Sequence, residues 1–152
     1  MAHLTVKSAY RKLEERINRA PQGAPPSKLL YEIYSMLFSE QEAEFVALMP
    51  IKPFDAEKAA KLWKQPLTQT QNMLDGLASR GLLMDIEDNG KSIYILPPPM
   101  AGFFEFSLMR IRSDIDQKKL SELFYKYITV EEDFIKDLMT GGETQLGRTF
   151  VN

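Results

Sequence analysis

The chain has 152 residues, of which 44% are hydrophobic and 26% are charged, and these proportions are typical of a globular protein. It contains no cysteine, so it cannot by itself form a disulfide bond, a zinc–thiolate site or an iron–sulfur cluster. The N-terminus lacks the apolar run of a signal peptide, and no stretch approaches the ~18 apolar residues of a membrane span, so we expect a cytoplasmic protein with no membrane partner.

The formal net charge of -2 is spread unevenly. Residues 1–26 carry a net charge of +3, residues 27–97 carry -3 and residues 98–152 carry -2. Affinity for duplex DNA depends mainly on Lys and Arg side chains that neutralise phosphates. Because the centre of the chain is acidic, we do not expect a nucleic-acid partner.

The first predicted element is a helix over residues 5–19, in which apolar side chains recur at helical spacing. Lys12, Arg16 and Arg19 could form a basic stripe on it, but Glu14 and Glu15 interrupt that stripe, which favours an ordinary solvated face. The three prolines of residues 20–26 end the helix and form a stiff connector.

The next helices are predicted from their capping residues. Ser27 can cap a helix that runs to about residue 38. Ser39 and Glu42 match a capping box, in which each side chain accepts a hydrogen bond from the other residue's backbone N–H, and a helix over residues 40–48 follows.

The centre of the chain changes from a helical to a strand period. Asp55 can cap a helix over residues 56–64, and a second helix follows over residues 67–80. Gly81 suits a left-handed C-terminal cap, and a hairpin of strands 82–87 and 92–96 then turns at Asn89-Gly90. We expect Leu82, Leu83 and Ile95 to close the core beneath the helices. This order predicts a winged helix-turn-helix within a mainly α protein that carries a small β-hairpin.

The C-terminal third is predicted to be helical, with helices over residues 117–127, capped by Asp116, and 130–139. The chain is thus predicted to consist of an N-terminal helix and connector (1–26), a winged-helix domain (27–99) and a helical extension packed on it (100–152).

A winged helix would contact DNA through its second helix. The candidate contact residues are polar or basic and lie on or just before that helix: Lys64, Thr68, Gln69, Gln71, Asn72 and Arg80. Asp75 lies on the same side and the predicted wing tip is acidic, so we favour a scaffold role over DNA binding.

The segment from residue 97 to residue 109 is unusually rich in Phe and Met. One hypothesis is that it is a partner interface, for which Met and Phe are well suited, and the alternative is a core helix covered by the C-terminal helices. The candidate interface residues are Met100, Phe103, Phe104, Phe106 and Met109.

We expect no enzymatic activity and no metal ion or cofactor in this chain. His3 is the only histidine, and no nucleophile–base pair or metal-ligand spacing accompanies it.

Six runs of the sequence resemble the N-terminal region of a family of 4Fe-4S ferredoxin-type iron–sulfur proteins: residues 21–25 (PQGAP), 37–43 (LFSEQEA), 51–54 (IKPF), 97–106 (PPPMAGFFEF), 114–118 (DIDQK) and 147–151 (GRTFV). The resemblance covers nearly the whole chain. It implies that the full-length protein continues into a cysteine-rich portion that binds 4Fe-4S clusters, whereas no cluster ligand lies in the present chain.

The resemblance predicts a non-catalytic accessory domain, for docking or regulation, of an iron–sulfur electron-transfer protein. The partner it implies is the cysteine-rich portion of the same protein, and a second copy of the chain or a redox partner protein is an alternative. The alternative function is a winged-helix transcription regulator that binds DNA.

Overall fold

The computed structural model of the protein describes residues 2–20, 23–109, 111–130 and 136. This part of the chain is mainly helical and contains a small antiparallel sheet. Its elements, in chain order, are α1 (Ala2–Ile17), α2 (Lys28–Leu37), α3 (Glu40–Ala47), β1 (Phe54–Asp55), α4 (Ala56–Trp63), α5 (Leu67–Ser79), β2 (Met84–Asp88), β3 (Lys91–Ile95), α6 (Glu105–Met109) and α7 (Gln117–Thr129).

Four helices begin at the side chains from which the sequence predicts them. Ser27 and Asp55 accept hydrogen bonds from the third residue of α2 and of α4, and Asp116 does the same for α7. Ser39 and Glu42 form the predicted capping box at the start of α3. Each cap satisfies a backbone N–H that a helix start leaves unpaired. These four predictions are confirmed, and the first residue of each helix is set by its neighbouring residues.

The first helix lies along α3, and one of its predicted surface cations is buried there. Arg16 is 4% exposed; its Nε donates to the Met49 carbonyl at 2.6 Å and its Nη2 to the Pro50 carbonyl at 2.5 Å. Burial lowers the pKa of this guanidinium, with the charge of Arg19 as a smaller cause. Arg16 therefore belongs neither to a basic stripe nor to a solvated face, because it binds carbonyl groups of the loop that follows α3.

The sheet has the strand order β1-β3-β2, with both neighbours antiparallel to β3. Asn89 and Gly90 have φ angles of 51° and 77°, and positive φ at both central positions is the requirement of a type I′ hairpin turn, as the sequence predicts. Strand β1 was not predicted from the sequence, since two residues are too short to show a strand period.

The C-terminal part of the described chain packs on α2 through aromatic side chains. A wide helical turn of residues 99–104 leads into α6, and α7 packs on α2. The Tyr127 hydroxyl donates to the Pro25 carbonyl at 2.7 Å, across 102 residues of chain. The predicted helix over residues 130–139 falls almost wholly outside the described residues.

One cluster of buried side chains contains residues from all three predicted segments, 1–26, 27–99 and 100–152. None of the helices formed by the described residues is long and apolar enough to cross a membrane.

Candidate docking surfaces

The β2–β3 hairpin has one buried and one open face. Asp85 pairs with Tyr94, and because side chains alternate along a strand, both lie on the face that meets α5. Tyr94 is fully buried there. Met84 pairs with Ile95 and Ile86 with Ile93, which places these four on the opposite face.

The open face of the hairpin is apolar, and we call these four side chains the hairpin face: Met84, Ile86, Ile93 and Ile95. Met84 is 39% exposed and Ile86 is 49% exposed, while the two β3 residues are half-buried. Ile95 was expected to close the core together with Leu82 and Leu83. That prediction holds for the two leucines, which are buried, and is wrong for Ile95, because the register turns it away from α5.

Hydrogen bonds fix the buried face of the hairpin to α5. The Tyr94 hydroxyl donates to Asp75 Oδ1 at 2.6 Å, and Gln71 Nε2 donates both to the Tyr94 oxygen and, at 3.0 Å, to Asp75 Oδ1. Burial, reinforced by the bond to Asp75, raises the pKa of Tyr94 to about 12. The ring of Phe54 lies against Tyr94, with centroids 6.3 Å apart. The hairpin face is thus held in one position by a hydrogen-bonded anchor.

The predicted DNA-contact residues are only partly available. Thr68, Gln69 and Asn72 are exposed on α5, and Lys64 is exposed just before that helix, with a left-handed φ of 53°. Gln71, in contrast, is committed to the Tyr94 anchor.

The second predicted cation, Arg80, is turned toward α3 instead of solvent. Its guanidinium forms an ion pair with Glu42 and donates to the Leu37 carbonyl at 3.3 Å and to the Gly76 carbonyl at 3.1 Å. Arg80 was predicted to be exposed; it is half-buried instead, because Glu42 and two carbonyl oxygens satisfy its donors.

The groove between α5 and the hairpin tip is weakly acidic. Asp55, Glu57 and Lys91 line it, and Lys91 Nζ lies 3.8 Å from Glu57 Oε1. The cation is therefore already partnered by a carboxylate, which leaves no excess positive charge to attract a phosphate.

A second, open groove of about 510 Å³ lies between α2, α3 and residues 112–115. Arg112 lines it, donates to both carboxylate oxygens of Asp114, and holds the pKa of that acid at about 2. The Arg112 Nη1 atom is buried and has no hydrogen-bond partner among the described residues. Since Arg112 Nη1 is inaccessible, and since Arg112 and Arg80 are each paired with an acid, neither guanidinium presents an unpaired charge to a ligand in this groove.

Two of the five predicted interface residues in the segment 97–109 lie in the core. Phe103 is fully buried against Tyr34 and Phe38, whose ring centroids lie 6.4 Å and 6.0 Å away. Phe104 is 4% exposed, with its ring centroid 4.7 Å from that of Phe124. For these two residues the core alternative is correct.

The remaining members of that segment are less enclosed. Phe106 is half-buried and its backbone lies against Gly81, whereas Met109 is 70% exposed. The side chain of Met100 lies outside the described part of the structure. The interface prediction is thus untested for Met100 and stays a prediction for Phe106 and Met109.

Within the described ranges, no group of three or more His, Cys, Asp or Glu side chains could hold a metal ion. The sequence alone does not reveal the hairpin face, because only the strand register shows that its four apolar residues share a side. A comparison of the chain with known proteins found no matching family model, no matching curated protein and no matching solved structure.

Proposed function

We propose that this chain is a non-catalytic docking module of an iron–sulfur electron-transfer protein, and that the hairpin face contacts the partner. The observation that carries the docking role is the set of four apolar side chains gathered on the open side of a rigidly anchored hairpin. Burying a Met or Ile side chain fully contributes roughly 1.5–3 kcal/mol, so a partner that covers this face gains several kcal/mol.

The scaffold of the proposed module is a winged helix. The order α3-β1-α4-α5-β2-β3, with β1 and β2 on either side of β3, is the element order of that fold and supports this proposal. In such a module α4 and α5 position the hairpin, and residues 27–99 form the domain to which the N-terminal helix and the C-terminal extension attach.

The proposed partner is the cysteine-rich, 4Fe-4S-binding portion that the sequence resemblance implies. The six runs of similar sequence are the support for it, and they extend over most of the chain. The clusters would belong to that partner, since the present chain has no cysteine to ligate iron.

The test is binding of this chain to the proposed cysteine-rich portion, prepared as a separate, cluster-loaded ferredoxin-type polypeptide, measured by calorimetry. The double variant Ile86→Thr/Ile93→Thr keeps β-branched residues in the strands but removes apolar area. We expect it to weaken binding about tenfold or more, whereas the matched exposed variant Thr68→Ala on α5 leaves the affinity unchanged. Equal affinity of the double variant and the wild type would contradict the proposal.

The alternative of a DNA-binding regulator has less support, because Arg80 and Gln71 are engaged within the protein and Lys91 is paired with Glu57. We expect weak binding to duplex DNA at physiological salt. A salt titration measures this directly. Sub-micromolar affinity with a steep dependence on salt would mean that phosphate contacts exist, and would favour the regulator instead.

A further inference from the structure

Strand β2 lies at an open edge of the sheet. Strand β3 is paired on both sides, with β1 and with β2, whereas β2 is paired on one side only among the strands of the described residues. All five residues of β2 are exposed. An exposed edge presents unpaired backbone N–H and C=O groups, which can pair with a further strand.

The hairpin geometry identifies the backbone groups that face outward. The residues that flank a two-residue type I′ turn form a hydrogen-bonded pair, here Asp88 and Lys91. Hydrogen-bonded and non-hydrogen-bonded pairs alternate along an antiparallel ladder, so the residues at 86 and 84 also bond to β3. The N–H and C=O groups of Asp85 and Glu87 therefore point to the open edge.

The side chains of these two residues give the edge a distinct chemistry. Asp85 and Glu87 lie on the same side of the strand, and neither forms an ion pair within the described part of the chain. Met84 and Ile86 lie on the other side, where they belong to the hairpin face. The edge is thus acidic on one side, where Asp85 and Glu87 also offer free backbone groups, and apolar on the other, where Met84 and Ile86 lie.

We infer that β2 accepts an added strand from a partner protein, and that this strand alternates basic and apolar residues. Basic side chains opposite Asp85 and Glu87 form favourable cross-strand pairs, and the intervening apolar side chains extend the hairpin face. The inference rests on the docking role and specifies the chemistry of the partner.

A second copy of the chain does not suit this edge. Only residues 85 and 87 offer outward backbone groups, so two β2 strands paired antiparallel over both residues would place acids opposite acids. Like charges directly opposite one another are destabilising. The same carboxylates that attract a basic strand therefore keep copies of the chain apart, as charged residues on sheet edges commonly do.

The test uses blocked peptides of about eight residues, a usual strand length, added to the whole chain. The probe alternates Lys and Val, and the matched control alternates Glu and Val. We expect the Lys–Val peptide to bind at least about tenfold more tightly than the Glu–Val peptide. In its complex, the backbone amides of Asp85 and Glu87 should exchange with solvent more slowly than in the free chain.

Backbone pairing is separated from simple charge attraction by methylating amide nitrogens of the probe. The Lys residues opposite the two acids are those whose N–H groups face β2 in an antiparallel pair, so methylation of the Lys amides should abolish binding. Methylation of the Val amides, which face away, should leave it intact. The isosteric double variant Asp85→Asn/Glu87→Gln should lower the affinity for the unmodified probe about tenfold.

Strand addition is overturned if the Lys–Val peptide does not bind, if methylated Lys amides are tolerated, or if the amides of residues 85 and 87 stay unprotected. The docking role survives any of these results as long as Ile86→Thr/Ile93→Thr still weakens binding of the ferredoxin-type polypeptide. If that double variant has no effect, the docking role itself fails.

Discussion

Residues 97–109 and the hairpin of residues 84–95 are both rich in large apolar side chains, yet the fold buries Phe103 and Phe104 in the first and leaves one face of the second exposed. Phe103 and Phe104 are covered by α2 and α7, whereas no element of the described part of the chain covers Met84 and Ile86 in this way. The density of apolar residues in a sequence thus shows that an apolar surface exists. Whether it is core or interface depends on which distant element packs over it.

The largest effect on stability is expected from truncation of the enclosed region. Phe104→Ala removes a ring that packs on Phe124 and Tyr127, and should lower the free energy of unfolding by about 3–5 kcal/mol. Met109→Ala, at an exposed position five residues further on, should change it by about 0.5 kcal/mol or less. Denaturant titration measures both. A small effect of Phe104→Ala would mean that this segment is a covered interface in a complex and not part of this chain's core.

The two regions approach each other at Gly81, where the chain leaves α5 for β2 and lies against the backbone of Phe106. The φ of Gly81 is 73°, and an added Cβ would lie 2.9 Å from the backbone of Phe106. Gly81→Ala should therefore cost about 3 kcal/mol, from backbone strain and from displacement of α6.

Gly90→Ala is the matched control, since its φ is 77° and nothing lies within 4 Å of an added Cβ. It should cost only the strain of about 1–2 kcal/mol. Equal losses for the two alanine variants in the same titration would show that the hairpin and α6 are not in tight contact.

The anchor beneath the hairpin should appear in the pH dependence of stability. The pKa of Tyr94 is about 12 in the folded chain, against about 10 for an unperturbed tyrosine. A raised pKa favours the protonated folded form, so its contribution is present below pH 10 and is lost as the pH rises toward 12.

The free energy of unfolding of the wild type should fall between pH 10 and 12. We expect this fall to be smaller by about 1–2 kcal/mol in Tyr94→Phe, which has no hydroxyl to ionise. Tyr31, whose pKa is also about 12 owing to burial and its bond to Glu14, contributes to the same pH window, and Tyr31→Phe provides the comparison. If Tyr94→Phe leaves the alkaline slope unchanged, the hydroxyl is not anchored to Asp75.

The smallest effect is expected on the open side of the hairpin. Ile86→Thr/Ile93→Thr alters side chains that are exposed or half-buried, so the free energy of unfolding should fall by no more than about 1 kcal/mol. A loss of several kcal/mol in thermal or denaturant unfolding would place this face in the core and would remove the contrast between the two regions.

Local signals in the sequence were sufficient for most helix starts and for the hairpin turn. Ser27, Ser39 and Asp55 act on backbone groups within three residues, and Asn89-Gly90 sets its own turn, so neighbouring residues contain the needed information. The two residues of β1 depend instead on pairing with β3, about forty residues away along the chain.

The docking surface, like β1, depends on contacts between residues that are distant along the chain. The pairing of Met84 with Ile95 and of Ile86 with Ile93 requires the register of two strands, and the burial of Phe103 requires the position of α2. Arg16 and Arg80 were expected at the surface for the same reason. The Met49 and Pro50 carbonyls that bury Arg16, and the Glu42 carboxylate and Leu37 carbonyl that turn Arg80 inward, are more than thirty residues distant.

Cysteine reactivity offers the most direct test of docking through the hairpin face, because the chain has no cysteine of its own and a single introduced thiol is unambiguous. Met84→Cys reports on the hairpin face, Gln69→Cys on α5 and Met109→Cys on the end of the aromatic segment. Alkylation of each thiol is followed by mass spectrometry with and without the cluster-loaded ferredoxin-type polypeptide. The account predicts that the partner slows alkylation of Met84→Cys and leaves Gln69→Cys unaffected, while Met109→Cys tests the remaining interface prediction separately. A thiol at 84 that is as reactive with the partner as without it would contradict the account.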